Sequence, residues 1–154
     1  MSRYFYKELL IVVLAIGAIV FVSKMDSSAL PSTGEFGGVS LRIEYATTTA
    51  TRERGLGNRE SIAPDQGMLF VFPKDERYGF WMKDTLVPLD IFWLNDKGQV
   101  VSIAQDVATS TYPNVFYPSA PARYVLETAA GFAHEHAIAT GTPLLLKNFP
   151  SVTE

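Results

Sequence analysis

Hydrophobic and polar residues alternate along several short stretches of this chain. Val39 to Ala46 (VSLRIEYA) has an apolar residue at every second position up to Tyr45, a period of two that gives a β-strand one apolar and one polar face. Gly67 to Phe72 (GMLFVF) has no polar side chain, so we expect a strand that is covered on both faces. Tyr124 to Glu127 and Leu144 to Leu146 indicate two further strands.

A hairpin and two short helices are also predicted. Asn95 to Gly98 (NDKG) separates the apolar runs Leu89 to Leu94 and Gln99 to Ile103, which is typical of a β-hairpin. Thr47 to Asn58 begins with threonines that suit a helix N-cap and ends with glycines, so it predicts one or two helical turns. Ala129 to Ile138 predicts a second short helix.

The order of these elements predicts the fold class. Many short strands with frequent turn signals are typical of a β-sandwich or barrel, and a parallel α/β sheet would need longer helices between the strands. We therefore predict a mainly β, sandwich-like or barrel-like domain with one or two short helices over residues 39–150.

A long apolar segment precedes this domain. Leu9 to Val22 contains fourteen residues without a polar side chain. Counted from Tyr4, the segment would form a helix of about 28 Å at ~1.5 Å per residue, close to the ~30 Å hydrocarbon layer of a membrane. We predict that residues 1–24 are an N-terminal transmembrane anchor that contacts the membrane through residues 4–22. A signal peptide cleaved near Ala29 and a buried core helix are the alternatives.

The charges that flank this segment predict its orientation. Arg3 and Lys7 precede most of it and Lys24 follows it, so the basic excess places the N-terminus in the cytoplasm and the C-terminal domain outside it. Cleavage would instead give a secreted protein. Residues 25–38 are rich in Ser, Gly and Pro, and we expect them to form a flexible linker.

Composition excludes several kinds of chemistry. The 154 residues include no cysteine, which removes disulfides, thiolate catalysis and cysteine-bound zinc or iron–sulfur centres. The formal net charge is −3, and residues 1–24 contribute +2, so the remaining chain carries −5. An acidic domain binds polyanions poorly, and we expect no nucleic-acid partner. We predict no cofactor and no metal site, and protein partners and oligomeric state remain open.

The candidate chemistry begins in residues 79–94 (GFWMKDTLVPLDIFWL). Alternation there places Trp81 and Lys83 on the face opposite Phe80 and Met82, where an indole beside an ammonium could hold a carboxylate, a phosphate or a sugar hydroxyl. Asp90 falls within the strand predicted for Leu89 to Leu94 and shares a face with Phe92. An ion pair between strands without any ligand-binding role is the alternative explanation for these charges.

Several short motifs occur together in a known family. In order, they are Arg52 to Gly55 with Leu56 and Arg59, Gly67 to Phe72, Phe80 to Thr85, Pro88 to Asp90, and Tyr124 to Glu127 with Gly131 and Gly141. With these motifs, residues 39–147 resemble the bacterial and archaeal family called domain of unknown function 192. The resemblance implies a mostly β domain in a small protein that is often exported or membrane-anchored, and it implies no established activity.

The chain departs from the family pattern at two positions. Gly57 stands where the family commonly has Met, and Asp84 stands where Asn is common. The additional acidic group at position 84 disfavours a strongly anionic ligand at the expected site.

The polar residues inside these motifs define the candidate site. They are Arg54, Arg59, Lys83, Asp84, Thr85, Asp90 and Glu127. The residues that we expect to bind a ligand are Arg54, Trp81, Lys83, Asp84, Asp90 and Glu127. We predict in particular that Lys83 and Asp90 face the same polar cleft as Arg54.

Two further arrangements are considered. Asp90 and Glu127 could act as paired carboxylates of a glycosidase if they lay about 5 to 9.5 Å apart. His134 and His136 are two residues apart, and on the predicted helix their side chains diverge by about 200°, too far to share a metal ion. No nucleophile elbow and no phosphate-binding loop occurs in the sequence.

Three functions remain consistent with the sequence. The first is an exported, membrane-tethered module that binds a polar small molecule or a cell-envelope saccharide. The second is a structural or protein-interaction domain in which the charged residues form an internal network. The third is a hydrolase that uses Asp90 or Glu127. The convergence, burial and hydrogen bonding of the charged residues distinguish them.

Overall fold

The computed structural model describes residues 32–153. Its strands are β1 (Ser32–Phe36), β2 (Val39–Ala46), β3 (Gln66–Glu76), β4 (Leu89–Leu94), β5 (Val100–Val107), β6 (Ala122–Ala129) and β7 (Leu144–Leu145). Two short helices, α1 (Thr49–Arg54) and α2 (Phe132–Glu135), and a 3-10 helix at Thr109–Thr111 complete the structure. The predicted anchor, residues 1–24, and residues 25–31 of the predicted linker lie outside the described residues. Within residues 32–153, no helix is long and apolar enough to cross a membrane.

All seven strands belong to one sheet, in the order β5-β4-β6-β3-β2-β1-β7. Every neighbouring pair is antiparallel except β2 and β3, which run parallel. The chain between β2 and β3 contains α1, which allows the return that a parallel pair requires. The prediction of a mainly β domain with two short helices is confirmed.

The sheet curls until its two edges meet at one end. The Val100 amide donates to the Thr142 carbonyl at 3.0 Å, the Gly141 amide donates to the Val100 carbonyl at 2.8 Å, and the Leu144 amide donates to the Gly98 carbonyl at 2.9 Å. These bonds join the start of β5 to the segment that leads into β7. The domain is therefore a half-barrel, so of the predicted sandwich-like or barrel-like folds the structure has the curvature of the second and lacks the two packed sheets of the first.

Apolar side chains cover both faces of this sheet. On the face we call inner, Phe36, Phe92 and Phe132 pack together, with ring centroids of Phe36 5.1 Å from Phe92 and 5.9 Å from Phe132. On the outer face, Phe80 packs edge-on against Phe70 at 4.9 Å and against Trp93 at 6.1 Å. All six residues of β4 are buried as a result.

The predicted linker is wrong over its last part. Ser32–Phe36 forms β1, which pairs with β2 from Ser32 opposite Ile43 to Phe36 opposite Val39, and Phe36 is fully buried. Serine and glycine in this segment made it look like a spacer, but its side chains complete the inner core once β2 and β7 lie beside it.

The helices follow their sequence signals to different extents. α1 begins with a capping box, in which the Thr48 hydroxyl accepts from the Thr51 amide at 3.1 Å and the Thr48 amide donates to the Thr51 hydroxyl at 3.0 Å. It ends at Gly55, whose φ of 50° favours glycine. The second helix is shorter than predicted, because Ala129 pairs with Leu89 of β4 and extends β6.

Candidate functional site

A pocket opens on the outer face of the sheet, below α1. It has a cavity volume of about 220 Å³. Its walls are α1 with Gly55 to Gly57, the segment from Gly79 to Thr85, and side chains of β3 and β6. The titratable residues that line it are Arg52, Glu53, Arg54, Lys83 and Glu127, and the aromatic ones are Phe70, Phe72, Phe80 and Trp81. The pocket thus combines an apolar wall with several charged groups.

Four of the six predicted site residues meet here. Arg54, Trp81, Lys83 and Glu127 line this pocket, although they come from α1, from the segment after β3 and from β6. The predicted convergence of Lys83 with Arg54 is therefore observed. Asp84 and Asp90 do not line the pocket.

The Trp81 and Lys83 side chains reach the pocket because burial alternates along their segment. Phe80 and Met82 are buried in the outer core, whereas Trp81 is 49% exposed and Lys83 is also exposed. The segment is a loop held by Phe80, whose backbone bonds that of Phe116 in both directions at 2.9 and 2.8 Å. The predicted alternation is confirmed, and it places an indole and an ammonium on the open side.

Trp81 and Lys83 also contact each other. The Lys83 Nζ lies 5.9 Å from the centroid of the Trp81 ring, within the range of a cation–π contact. Tyr112 packs edge-on against the Trp81 ring, with ring centroids 5.9 Å apart, and Tyr112 is itself 47% exposed. The pocket lining therefore carries an exposed indole beside a cation, and Tyr112 supports that indole from outside the lining.

Glu127 is the buried ionisable group that lines this pocket. It lies on β6 opposite Met68 of β3 and Ile91 of β4, so its side chain shares the outer face with those two residues. Only 5% of Glu127 is exposed, its carboxyl has no hydrogen-bond or ion-pair partner among residues 32–153, and its oxygens reach solvent through the pocket. Burial raises the pKa of the Glu127 carboxyl from 4.5 to about 8. Near neutral pH this group is therefore mainly protonated and can donate a hydrogen bond.

The side chains of Arg54 and Lys83, which line the pocket, can contact a ligand. Within residues 32–153, neither Arg54 nor Lys83 takes part in an ion pair. Arg52 differs, because its Nη1 donates to the carbonyls of Thr47 at 2.8 Å and Val71 at 3.0 Å, which fixes α1 to the sheet. The sequence did not single out Arg52, since an arginine bonded to carbonyls has no pattern that separates it from its neighbours.

Asp90 occupies a different place from the one predicted. It is fully buried and pairs with Thr128, one residue along from the Ile91–Glu127 pair, so its side chain points to the inner face. Oδ1 accepts from the Asp106 amide and Oδ2 from the Ala133 amide, both at 2.7 Å. The prediction that Asp90 shares a cleft with Lys83 and Arg54 is wrong.

The role of Asp90 follows from its two partners. The pairing of β4 with β5 shifts between Leu89 and Ile91, and Asp106, at φ 49°, turns its amide towards Asp90 there. α2 has Gly131 as its N-cap and therefore no capping side chain of its own. Asp90 satisfies an amide in the first turn of that helix from a neighbouring strand. It is a structural residue that joins a bulge to a helix.

Asp84 also lies outside the pocket. It is exposed, with φ 55°, and its carbonyl accepts from the Asn58 amide at 2.7 Å. Its role in the loop is thus carried by the backbone. Because its carboxylate does not line the pocket, the argument that Asp84 disfavours an anionic ligand no longer applies.

Arg59, Glu44 and Gln66 form a partly buried network of side-chain hydrogen bonds. Arg59 donates to Glu44 through Nη1 at 2.6 Å and Nη2 at 2.8 Å, and Gln66 Nε2 donates to Glu44 Oε1 at 2.6 Å. These bonds hold the pKa of the Glu44 carboxyl below its ordinary value. The alternative explanation, in which charged residues of the motifs stabilise the fold and bind no ligand, therefore applies to Asp90 and to Arg59 paired with Glu44.

Two arrangements considered from the sequence are not formed. Asp90 and Glu127 project from opposite faces of the sheet, so they cannot act as a pair of carboxylates on one substrate. His134 is exposed on α2, while His136 packs against the Phe132 ring at 4.4 Å. The part of the chain from residue 32 to 153 contains no group of His, Asp and Glu suited to hold a metal ion.

The half-barrel and its pocket, which aromatic and mainly cationic side chains line, define a small β domain with a candidate ligand site. Residues 32–146 match the sequence model of DUF192, domain of unknown function 192, described as an uncharacterized ACR. The chain belongs to this family, as the motifs indicated.

Two solved structures are similar to this chain. One is described as "a putative transcription regulator" from Sinorhizobium meliloti 1021, with 28% identity, a TM-score of 0.67, and coverage of 73% of this chain and 88% of that chain. The other is a protein of unknown function from Novosphingobium aromaticivorans DSM 12444, with 29% identity, a TM-score of 0.67, and coverage of 74% and 82%. No curated protein matches the chain significantly.

Proposed function

We propose that this domain binds a polar small molecule in the pocket below α1. One observation carries the proposal: Glu127 is 5% exposed and lines a pocket, and its carboxyl bonds no protein group among residues 32–153 but reaches solvent through that pocket. Without a protein partner, this carboxyl depends on water or on a ligand in the pocket for its hydrogen bonds, and a bond left unmade costs roughly 1–3 kcal/mol. A bound molecule would supply the missing hydrogen bond.

The pocket dimensions limit the size of this ligand. Its volume of about 220 Å³ is smaller than the ~300–1,000 Å³ of sites for drug-sized molecules. The half-exposed ring of Trp81 in the pocket lining provides a flat apolar surface, which suits a sugar ring or a planar group. A single sugar unit or the end of a saccharide fits these features better than an extended polymer.

The cellular setting is part of the same proposal. The apolar segment at residues 4–22 supports a membrane tether, with residues 32–153 outside the cytoplasm, and this would give the pocket access to cell-envelope saccharides. Fusion of a reporter active only outside the cytoplasm to the C-terminus of the full-length chain tests the orientation. A reporter active only in the cytoplasm would contradict it.

Ligand binding can be tested by thermal shift with the full-length protein and a set of sugars, organic acids and nucleotides. A ligand at 100 times its Kd adds ~2.7 kcal/mol, which raises the unfolding midpoint of a domain of this size by several degrees. We expect the shift to disappear in Trp81→Ala and Lys83→Ala and to persist in Lys97→Ala, whose side chain lies in the distant hairpin turn. Absence of any shift, or its persistence in the first two variants, would contradict the proposal.

A second candidate function is hydrolysis with Glu127 as general acid. The pKa of about 8 keeps a proton on this carboxyl beside an open pocket, as a general acid at neutral pH requires. Glu53 is the other carboxylate that lines the pocket. Release of reducing sugar from envelope polysaccharide that is abolished by Glu127→Gln and retained by Asp84→Asn would favour this function. Equal release by the wild type, Glu127→Gln and Asp84→Asn would exclude this function.

A further inference from the structure

We infer that the ligand of this pocket carries one carboxylate on a small ring-shaped body, and that it binds together with the proton of Glu127. The inference rests on the proposed function and specifies its ligand class. The ligand carboxylate would accept a hydrogen bond from Glu127 and face Arg54 and Lys83, while the ring would lie against the aromatic wall.

The charge of the pocket favours an anion. Arg52, Arg54 and Lys83 line it together with Glu53, while Glu127 is mainly uncharged near neutral pH. Three cationic side chains thus outnumber one carboxylate in a domain whose overall charge is negative. A local positive field in a concave site attracts small anions and raises their local concentration.

Glu127 selects among anions by the kind of bond it can make. A protonated carboxyl offers one O–H donor, and hydrogen bonds from such a donor to a carboxylate are short and strong. Of its neighbours across the sheet, Ile91 offers no side-chain acceptor and Met68 offers only a weakly accepting thioether sulfur. The donor is therefore free for a ligand oxygen at the base of the pocket.

The aromatic wall accounts for the rest of the ligand. Phe70, Phe72 and Phe80 line the pocket, and Trp81 lies half-exposed at its mouth. A ring bearing a carboxylate could direct its charge to Glu127 and its apolar face to these rings. An aromatic acid and a uronic acid share this chemistry, so experiments must separate the two.

The arrangement couples binding to pH. When Glu127 loses its proton, the pocket loses its donor and gains a negative charge beside the ligand. The other titratable groups facing this pocket are Arg52, Glu53, Arg54 and Lys83, and Glu44 lies two strands away on the same row. Affinity for a carboxylate should therefore fall as the pH rises through the pKa of Glu127.

The test uses matched ligands with full-length protein in isothermal titration calorimetry. Benzoate is compared with benzamide, and glucuronate with glucose, at pH 6.5 and pH 9. At pH 6.5 we expect the carboxylate of at least one pair to bind tenfold or more tightly than its neutral partner. That affinity should fall at least tenfold by pH 9. Preference for benzoate would indicate an aromatic acid, and preference for glucuronate a uronic acid.

Variants isolate the role of the proton. Glu127→Gln keeps a neutral donor at every pH, so its affinity for the carboxylate should remain the same at pH 6.5 and pH 9. Arg54→Gln and Lys83→Gln should each weaken the carboxylate at least threefold and leave the neutral partner unchanged, while Lys97→Gln should change neither.

The possible failures are distinguishable. Equal or tighter binding of a neutral partner would overturn the carboxylate inference and leave the proposed binding function intact. A pH dependence that persists in Glu127→Gln would overturn the coupling to its proton. Absence of binding by all four compounds, together with no shift in the thermal screen, would overturn both.

Discussion

Asp90 and Glu127 lie on neighbouring strands of one sheet, and their carboxyl groups project from opposite faces. Asp90 pairs with Thr128 and Glu127 with Ile91, a difference of one residue in register. The Asp90 carboxylate points into the core and accepts hydrogen bonds from two backbone amides. The Glu127 carboxyl faces the pocket and has no partner among the protein groups of residues 32–153. Two acidic residues that look alike in the sequence thus have different surroundings, and we expect a different result when each is mutated.

Glu127 should make the protein less stable as the pH rises. Between about pH 5 and 8, the folded state retains a proton on Glu127 that the unfolded chain has released, since the folded pKa is about 8 and the ordinary value is 4.5. Each unit of raised pKa corresponds to ~1.4 kcal/mol, so the loss amounts to a few kcal/mol. Glu127→Gln should flatten this dependence in urea denaturation followed across that pH range.

Glu53→Gln is the matched control for that measurement. Glu53 lines the same pocket but is exposed on α1, so its removal should leave the slope of stability against pH close to that of the wild type. An unchanged slope in Glu127→Gln would show that burial does not hold a proton on Glu127.

Removal of Asp90 should destabilise the fold strongly. Asp90→Ala leaves the amides of Asp106 and Ala133 without their acceptor in a buried place, at ~1–3 kcal/mol each. We expect a loss of ~3 kcal/mol or more in denaturant unfolding, and a smaller loss for Asp90→Asn, which keeps one acceptor oxygen. The exposed Asp84→Asn should change stability by less than ~0.5 kcal/mol. A loss below ~1 kcal/mol for Asp90→Ala would contradict its structural role.

The Glu44–Arg59 pair should contribute modestly and in an acid-sensitive way. Both side chains are about 30% exposed, so solvent screening limits the coupling to ~1 kcal/mol despite two hydrogen bonds. The pKa of Glu44 is lowered, so this stability is present above its unfolded pKa of about 4.5 and is lost as the pH falls through the lower folded value. A double-mutant cycle of Glu44→Gln and Arg59→Gln at pH 7 and pH 3 measures it. Equal coupling at both pH values would refute the assignment.

Truncation of Phe80 should lower stability, whereas truncation of its neighbour Trp81 should mainly affect ligand binding. Phe80 is 9% exposed and packs against Phe70, Phe72 and Trp93, so Phe80→Ala should cost ~3–5 kcal/mol. Trp81 is 49% exposed, so Trp81→Ala should cost under ~1 kcal/mol while it abolishes ligand binding. Thermal unfolding and calorimetry of both variants check this contrast. Comparable destabilisation by the two would contradict the alternation.

Deletion of β1 should disrupt the domain. A chain that starts at Ser32 retains β1, whereas one that starts at Val39 lacks Phe36, which packs against Phe92 and Phe132 in the inner core. We expect the first to unfold cooperatively and the second to lose at least the ~3–5 kcal/mol of a buried phenylalanine, together with the edge pairing. Circular dichroism melts distinguish them, and equal melts would restore the linker interpretation of residues 32–38.

The local pattern of residues determined much of this protein. The alternation of Val39–Ala46 predicted β2, and the apolar run of Leu89–Leu94 with the Asn95–Gly98 turn predicted β4 and its hairpin with β5, because strand periodicity and turn chemistry act over a few residues. The same reasoning placed Trp81 and Lys83 on one open side and Thr48 at the start of α1. The motifs also indicated the family.

Only the tertiary structure decided which charged residues meet. Alternation showed that Asp90 shares a face with Phe92, but whether that face is wet or buried depends on α2, which covers it from more than forty positions along the chain. Ser32–Phe36 likewise forms a strand through its pairing with β2 and β7, which its own sequence does not indicate. Short-range patterns fix the direction in which a side chain points, whereas the packing of distant segments fixes what it meets there, and for Glu127 that is an open pocket.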